Sequence, residues 1–179
     1  MTYTLLGISG SLRKGSFNTH LLREAARHFG PAHFTLADLR VPLYDADLEA
    51  AEGLPAEVAR LAGLISGADA VVISAPEYNR SISGVLKNAL DWVSRVPGGP
   101  WAGKPVAILS ATAGRSGGER TQYALRLCLT PFGARVLTGP EVLVGQAADQ
   151  FDNSGRLTNE INTNALAALM AALRDEVAR

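Results

Sequence analysis

The chain has 179 residues, 47% of them hydrophobic and 19% charged, which is the composition of an ordinary globular domain with a sizeable core. Its 17 basic and 17 acidic side chains cancel, so composition argues against a general attraction to nucleic acid or to an anionic membrane. A single cysteine, Cys128, excludes an intramolecular disulfide, and no apolar run reaches the ~20 residues of a membrane span. We therefore expect one cytoplasmic domain over residues 1–179, without nucleic-acid or membrane partners.

Short apolar runs alternate along the chain with longer segments of helical periodicity. The β-branched run at 70–76 is typical of a central parallel strand that is buried on both faces. Pro55 suits the first turn of a helix. The predicted strands cover 3–8, 33–39, 70–76, 104–112 and 134–144, the last interrupted by Gly139-Pro140. The predicted helices cover 17–29, 55–68, 84–95, 117–131 and 158–177.

Five strands interleaved with five helices predict a parallel sheet with helices on both faces. In such sheets a ligand binds beyond the carboxyl ends of the strands. Three loops rich in polar or small residues follow three predicted strand ends: 9–18, 76–83 and 110–118. We expect these loops to converge on one ligand.

The first loop, residues 9–18, lacks both common nucleotide-binding motifs. Its glycines have the separation of a Walker A loop, but Ser16 and Phe17 replace the lysine and the hydroxyl that should follow, and G-x-G-x-x-G does not occur. The loop still favours a phosphate, because backbone N–H groups at a helix start and the guanidinium of Arg13 attract anions. In the alternative, Ser16 or Asn18 only caps the following helix. Hydroxyl donors are available from Ser9, Ser11 and Ser16.

The second loop, residues 76–83, turns sharply because Pro76 restricts the residue before it to extended geometry. Asn79 suits the polar edge of a planar heterocycle, and Tyr78 offers an aromatic face or a hydroxyl. The alternative is a tight turn in which Ser83 caps the next helix. The polar groups of this loop come from Glu77, Tyr78, Asn79 and Ser81.

The third loop, residues 110–118, consists of small residues and glycines. Such residues let the backbone approach a flat ring, and their N–H groups stabilise negative charge there. Arg115 and Arg120 serve an anionic ligand or are simply solvated surface residues. Together the three loops suit a mononucleotide that carries a flat ring.

Three segments, GSLRKGSFN, PEYNRSISGVLKNALDW and GGERTQYALR, closely resemble the NAD(P)H-dependent FMN reductases of flavodoxin-like fold, over roughly residues 3–145. The resemblance implies a three-layer sandwich with a five-stranded parallel sheet of order 2-1-3-4-5. It also implies FMN as cofactor, NADPH or NADH as hydride donor, and quinone-like, azo or metal-oxyanion acceptors. Family members are usually homodimers or homotetramers, with the helix after PEYN in the interface. The flavin carries the chemistry, so we nominate no catalytic side chain and no metal ligand.

The same resemblance assigns residues to parts of FMN. Arg80 and Ser83 depart from the family pattern, because many relatives carry a small residue and a proline there. Arg80 at the cavity mouth either favours anionic substrates or a nicotinamide cofactor phosphate, or is an inert variation. The phosphate is assigned to Ser11, Arg13, Ser16 and Asn18, beside the Ser9 hydroxyl of the same loop. The flavin ring is assigned to Pro76, Glu77, Tyr78, Asn79 and Ser81, and its pyrimidine edge to Ser110, Ala111, Thr112, Ala113 and Gly114.

Two other flavin functions fit the same fold. A flavodoxin-like electron carrier passes single electrons to proteins, but such carriers resemble this chain neither in their Thr-rich phosphate loop nor in their acidic charge. A flavin-binding sensor or scaffold uses FMN without NAD(P)H turnover. A phosphate-ester hydrolase needs an aspartate or cysteine at a strand end, and these predicted strand ends supply neither.

Overall fold

The computed structural model describes residues 2–179 as one layered arrangement of strands and helices. The strands are β1 Tyr3–Ser9, β2 Ala32–Leu36, β3 Ala70–Ser74, β4 Pro105–Ala111, β5 Arg135–Val136 and β6 Val142–Val144. The helices are α1 Phe17–Phe29, α2 Ala46–Glu52, α3 Ala56–Gly67, α4 Gly84–Val93, α5 Glu119–Leu129 and α6 Glu160–Val177. No helix within this described range is long and apolar enough to cross a membrane.

The strands pair in parallel in the order β2-β1-β3-β4-β5, which confirms the predicted order 2-1-3-4-5. The interrupted fifth strand is also observed, as two short segments that both pair with β4. Strand β5 lies beside Pro105 and Val106, and β6 lies beside residues 109–111. The peptide between Gly139 and Pro140, which separates the two segments, is cis.

Alternate residues of the central strand β3 pack into two different cores, one on each face of the sheet. Val71 and Ile73 belong to the core covered by α3, α4 and α5. Ala70 and Val72 belong to the core covered by α1 and α6. Because successive side chains of a strand point to opposite faces, a strand buried on both sides must be apolar throughout. The three-layer, flavodoxin-like sandwich follows from this pattern.

The structure differs from the sequence prediction in one additional helix and in several element boundaries. Helix α2 was not predicted, because none of its residues is buried and it therefore lacks apolar periodicity; its start is fixed by Asp45, whose carboxylate accepts the N–H of Asp47 at 2.8 Å. Strand β2 ends at Leu36 rather than at residue 39. Helix α5 ends at Leu129, and the chain continues as a 3₁₀ turn over 130–132 that contains Pro131, which cannot donate the next helical hydrogen bond.

Candidate functional site

A cavity of about 510 Å³ lies beyond the carboxyl ends of β1, β3 and β4. Most of the predicted site residues line it, namely Ser11, Arg13, Ser16, Asn18, Pro76, Glu77, Tyr78, Ala111, Thr112, Ala113 and Gly114. The side chains of Ser9, Asn79, Ser81 and Ser110 lie off this cavity. Four residues that the sequence analysis did not assign to the site also line it, namely Phe17, Ser116, Ala147 and Ala148.

One end of the cavity is formed by the start of helix α1. Ser16 is the N-cap residue and is buried, yet its side chain makes no capping bond, so its hydroxyl remains available to the cavity. Within residues 2–179, the N–H groups of Phe17, Asn18 and Thr19 have no acceptor, as is usual for a first helical turn. These donors and the positive end of the helix dipole make this end of the cavity suited to an anion.

Arg13 extends from the first loop over the same end of the cavity. Its guanidinium lies 5.7 Å from the centre of the Phe17 ring, a cation–π distance that holds the side chain near the helix start. No carboxylate among the described residues pairs with it. The charge of Arg13 is therefore free to bind an anion at the α1 terminus.

Two polar residues of the first loop bind protein groups. Asn18 is 3% exposed, and its Oδ1 accepts from the Ala111 N–H at 3.0 Å and from the Ser74 hydroxyl at 2.9 Å. Its Nδ2 donates to the Ala111 carbonyl at 2.9 Å. Ser9 accepts from the Thr19 hydroxyl at 3.0 Å. Asn18 therefore joins the start of α1 to the ends of β3 and β4, and Ser9 stabilises the loop from behind.

The second loop contains a tight hairpin. The N–H of Tyr78 donates to the Ser81 carbonyl and the N–H of Ser81 to the Tyr78 carbonyl, both at 3.0 Å. The two central residues, Asn79 and Arg80, both have positive φ, as a type I′ turn requires. Ser83 caps α4 through Leu86 N at 3.4 Å, so the tight turn and the cap are both present. Tyr78, at 56% exposure, projects beside the cavity mouth.

Glu77 connects the second loop to the start of helix α5. Its Oε2 accepts from the N–H groups of Arg120 at 3.2 Å and Thr121 at 3.4 Å, while Oε1 lies 3.8 Å from the Arg120 guanidinium. The Thr121 hydroxyl donates to the Pro76 carbonyl at 3.1 Å. The carboxylate thus caps a helix from another loop and interacts favourably with its dipole. Two of the three loops are held together by these contacts.

The third loop presents backbone donors to the cavity. Throughout the part of the chain that the structure describes, the N–H groups of residues 113–116 have no acceptor. Gly117 and Gly118 shape the loop, with φ of 64° and 93°, and a Cβ on Gly117 would lie 2.5 Å from the Leu143 carbonyl carbon. The buried Ser110 donates to the Gly117 carbonyl at 2.6 Å. Ser110 therefore holds the loop, and the free amides form its binding surface.

A segment near the C-terminus completes the cavity wall. Ala147 follows β6, and its N–H donates to the Thr112 carbonyl at 2.9 Å. Neither this residue nor Ala148 carries a polar group, so the sequence offered no signal for them. Phe17 is part of the first-loop motif. Only the structure shows that its ring stacks on that of Phe151, with the ring centres 5.4 Å apart.

The arrangement fits a mononucleotide with a flat ring. Free amides, a hydroxyl and a guanidinium lie at one end, and small residues with free amides line the other. No group of three or more His, Cys, Asp or Glu side chains in residues 2–179 is arranged to hold a metal ion.

Comparison with known proteins identifies the family. A sequence profile described as NADPH-dependent FMN reductase matches residues 3–149. An NAD(P)H-dependent FMN reductase of Pseudomonas aeruginosa is 48% identical over 158 residues, covering 87% of this chain and 85% of that protein. A quinone reductase of Escherichia coli K12 is 42% identical over 177 residues, covering 95% of this chain and 93% of that protein.

A solved structure agrees with these sequence matches. The flavoenzyme NAD(P)H:(acceptor) oxidoreductase from Paracoccus denitrificans superposes with a TM-score of 0.87 at 33% identity, covering 99% of this chain and 98% of that one. The chain therefore belongs to the NADPH-dependent FMN reductase family and is an NAD(P)H-dependent flavin oxidoreductase that uses FMN.

Proposed function

We propose that FMN occupies the cavity with its phosphate at the start of α1 and its ring between the second and third loops. The observation that carries this proposal is that unpaired donors from loops far apart in the sequence border one cavity. A local turn or a cap would not require donors from the first and the third loop to meet. The protein's part is to bind, orient and expose the cofactor.

Each end of the cavity has a distinct binding task. Arg13, Ser11, the Ser16 hydroxyl and the free N–H groups of the first α1 turn bind the phosphate. Pro76 and Tyr78 form the wall beside the ring, and the free amides of the third loop bind its pyrimidine edge. Ser9, Asn18, Asn79, Ser81 and Ser110 act by holding the backbone of these loops.

When bound, FMN accepts a hydride from NAD(P)H and passes electrons to a small molecule such as a quinone, an azo compound or a metal oxyanion. The cavity opens to solvent beside the exposed Tyr78, and a flat reactant stacks against the flavin ring at this opening. Placement of the reactants, rather than an acid or a base, is the protein's contribution to the rate.

An anaerobic visible spectrum tests this proposal. The purified protein, titrated with FMN, is expected to bind the flavin stoichiometrically, and added NADPH or NADH is expected to bleach the flavin band. Admission of a quinone should restore the band. A protein that binds FMN but is not bleached by either nicotinamide would act as a carrier or sensor, and one that binds no FMN would refute the cavity assignment.

We further propose a homodimer or homotetramer. Helix α5 exposes two large apolar side chains one turn apart, Tyr123 at 57% and Leu127 at 74%. Leu12 and the 82% exposed Leu43 border a second apolar groove beside α4. Apolar surface of this kind is typical of subunit interfaces. Light scattering on the eluting protein should give two or four times the 18.8 kDa chain mass, and a monomer would refute the proposal.

We also propose that residues 1–179 form a single domain and that the protein is cytoplasmic. A chain with one cysteine has no intramolecular disulfide to protect, which suits a reducing compartment. Fractionation of cells that express the protein with a terminal tag tests the location.

A further inference from the structure

The two-residue turn directly after Tyr78, which lines the cavity, contains an unfavourable backbone conformation. Arg80 has a φ of 66°, in the left-handed region where glycine is strongly preferred. Asn79, at φ 50°, is one of the few other residues that adopt this conformation readily. The mutual hydrogen bonds between Tyr78 and Ser81 hold the turn closed.

The Arg80 side chain gains nothing locally that offsets this conformation. It is exposed, and within residues 2–179 its guanidinium has no hydrogen-bond acceptor and no carboxylate within ion-pair distance. A residue held in an unfavourable backbone conformation without compensating side-chain contacts indicates a functional role for that side chain.

The charge of the three loops around the cavity indicates the kind of ligand. Arg13 and Arg115, from the first and third loops, are also exposed and free of carboxylate partners in the described chain. The one acidic residue lining the cavity, Glu77, already binds the start of α5 and Arg120. Although the chain is neutral as a whole, the three loops around the cavity therefore carry an excess of positive charge.

We propose that Arg80 is a specificity-determining residue that binds a phosphate or sulfonate group on a reactant entering the cavity. This inference rests on the proposed function and adds a substrate class to it. Arg13 is assigned to the cofactor phosphate. Arg80 lies two residues beyond Tyr78, the exposed ring beside which the reactant enters. The anionic group comes from the 2′-phosphate of NADPH or from a sulfonated acceptor, and both present the same chemistry to a guanidinium.

Paired substrates test the proposal with the FMN-loaded protein. The kcat/KM ratio for NADPH over NADH isolates the donor, and the ratio for a sulfonated naphthoquinone over the unsubstituted one isolates the acceptor. For Arg80→Gln we expect at least one ratio to fall about tenfold, corresponding to about 1.4 kcal/mol. Arg80→Lys should keep most of the preference, and high salt should reduce the wild-type ratio. Arg60→Gln, which removes an exposed cation on α3, is the matched control.

A second measurement separates the turn from the charge. Arg80→Gly should lose the same preference while raising Tm by about 2 °C, because glycine relieves the left-handed conformation. Opposite changes in stability and selectivity are expected only where a strained residue serves function. A lower Tm for this variant, or ratios within about twofold of wild type for Arg80→Gln, would overturn the proposal.

A binding titration keeps this test independent of turnover. Adenosine 2′,5′-bisphosphate and the sulfonated quinone are titrated by calorimetry into wild-type and Arg80→Gln protein. At least one ligand should bind about tenfold more weakly to the variant. If the wild type oxidised neither nicotinamide, the proposed function would fail, and these titrations alone would decide the role of Arg80; equal affinities for both ligands would refute it.

Discussion

The side-chain amide of Asn18 pairs with both backbone groups of Ala111, accepting from its N–H at 3.0 Å and donating to its carbonyl at 2.9 Å. The two residues are 93 positions apart in the chain. One buried side chain thereby fixes the start of α1 against the end of β4, so the phosphate end of the cavity is aligned with the third loop. Asn18 is a positioning residue by this geometry.

Replacing Asn18 by alanine should lower the free energy of unfolding by about 2–4 kcal/mol, because buried groups of Ala111 and Ser74 lose their partners. FMN affinity should fall with it. Denaturant unfolding and flavin titration measure the two effects. Asn153→Ala, in an exposed turn, is the control. Wild-type stability in Asn18→Ala would show that water replaces the missing amide.

Replacing Arg13 by alanine should weaken FMN binding by about 1.5–3 kcal/mol if its guanidinium contacts the phosphate. Fluorescence titration of the apoprotein with FMN, and with riboflavin, measures this. Riboflavin lacks the phosphate, so its affinity should change little. Lys14→Ala removes a neighbouring exposed charge and should have a smaller effect. Equal losses for both ligands would place Arg13 away from the phosphate.

Replacing Glu77 by alanine should cost about 0.5–2 kcal/mol of stability, because two N–H groups at the start of α5 lose their acceptor. Glu77→Gln keeps an acceptor oxygen but loses the charge, so it should cost about 0.3–1 kcal/mol. Thermal unfolding of both variants tests this order. If glutamine and alanine are equally destabilising, the charge rather than the hydrogen bonds carries the interaction.

Replacing Gly117 by alanine should destabilise the protein by about 2–4 kcal/mol and weaken FMN binding. The position combines positive φ with a Cβ that would meet the backbone of Leu143. Gly63→Ala is the opposite case, since Gly63 lies exposed within α3 with open space around it. That change should stabilise by about 0.5–1 kcal/mol. Equal effects at both glycines would mean that the third loop relaxes freely.

Stability should also depend on pH through His20. Burial, with smaller contributions from the positive charges of Arg23 and Arg13, holds the pKa of His20 below its ordinary value of 6.5. As the pH falls below about 6.5, His20 binds a proton in the unfolded chain more readily than in the folded chain. The free energy of unfolding therefore decreases. His20→Gln should flatten this decrease in denaturant unfolding at several pH values. An unchanged slope would assign it to other groups.

Much of the architecture was predictable because it depends on local patterns. The run Ala70–Ile73 is apolar throughout, as a strand with a core on each face requires, and α1 carries its apolar residues at helical spacing. Helix α2 escaped prediction because it buries nothing. The polar loops at the strand ends were also predictable, because polar and small residues directly follow the apolar runs in the sequence.

The sequence by itself determined the strands, every α-helix except α2 and the three loops, because apolar periodicity and turn-forming residues are local features of the chain. The tertiary structure decided which polar side chains border the cavity and which hold it together. Asn18 binds Ala111 and Glu77 binds the start of α5 only because the sheet brings these distant backbones together. Ala147 joins the cavity wall through a backbone hydrogen bond to Thr112, and an alanine side chain gives no sequence signal for such a contact. Roles of this kind follow from long-range packing, which a local pattern does not encode.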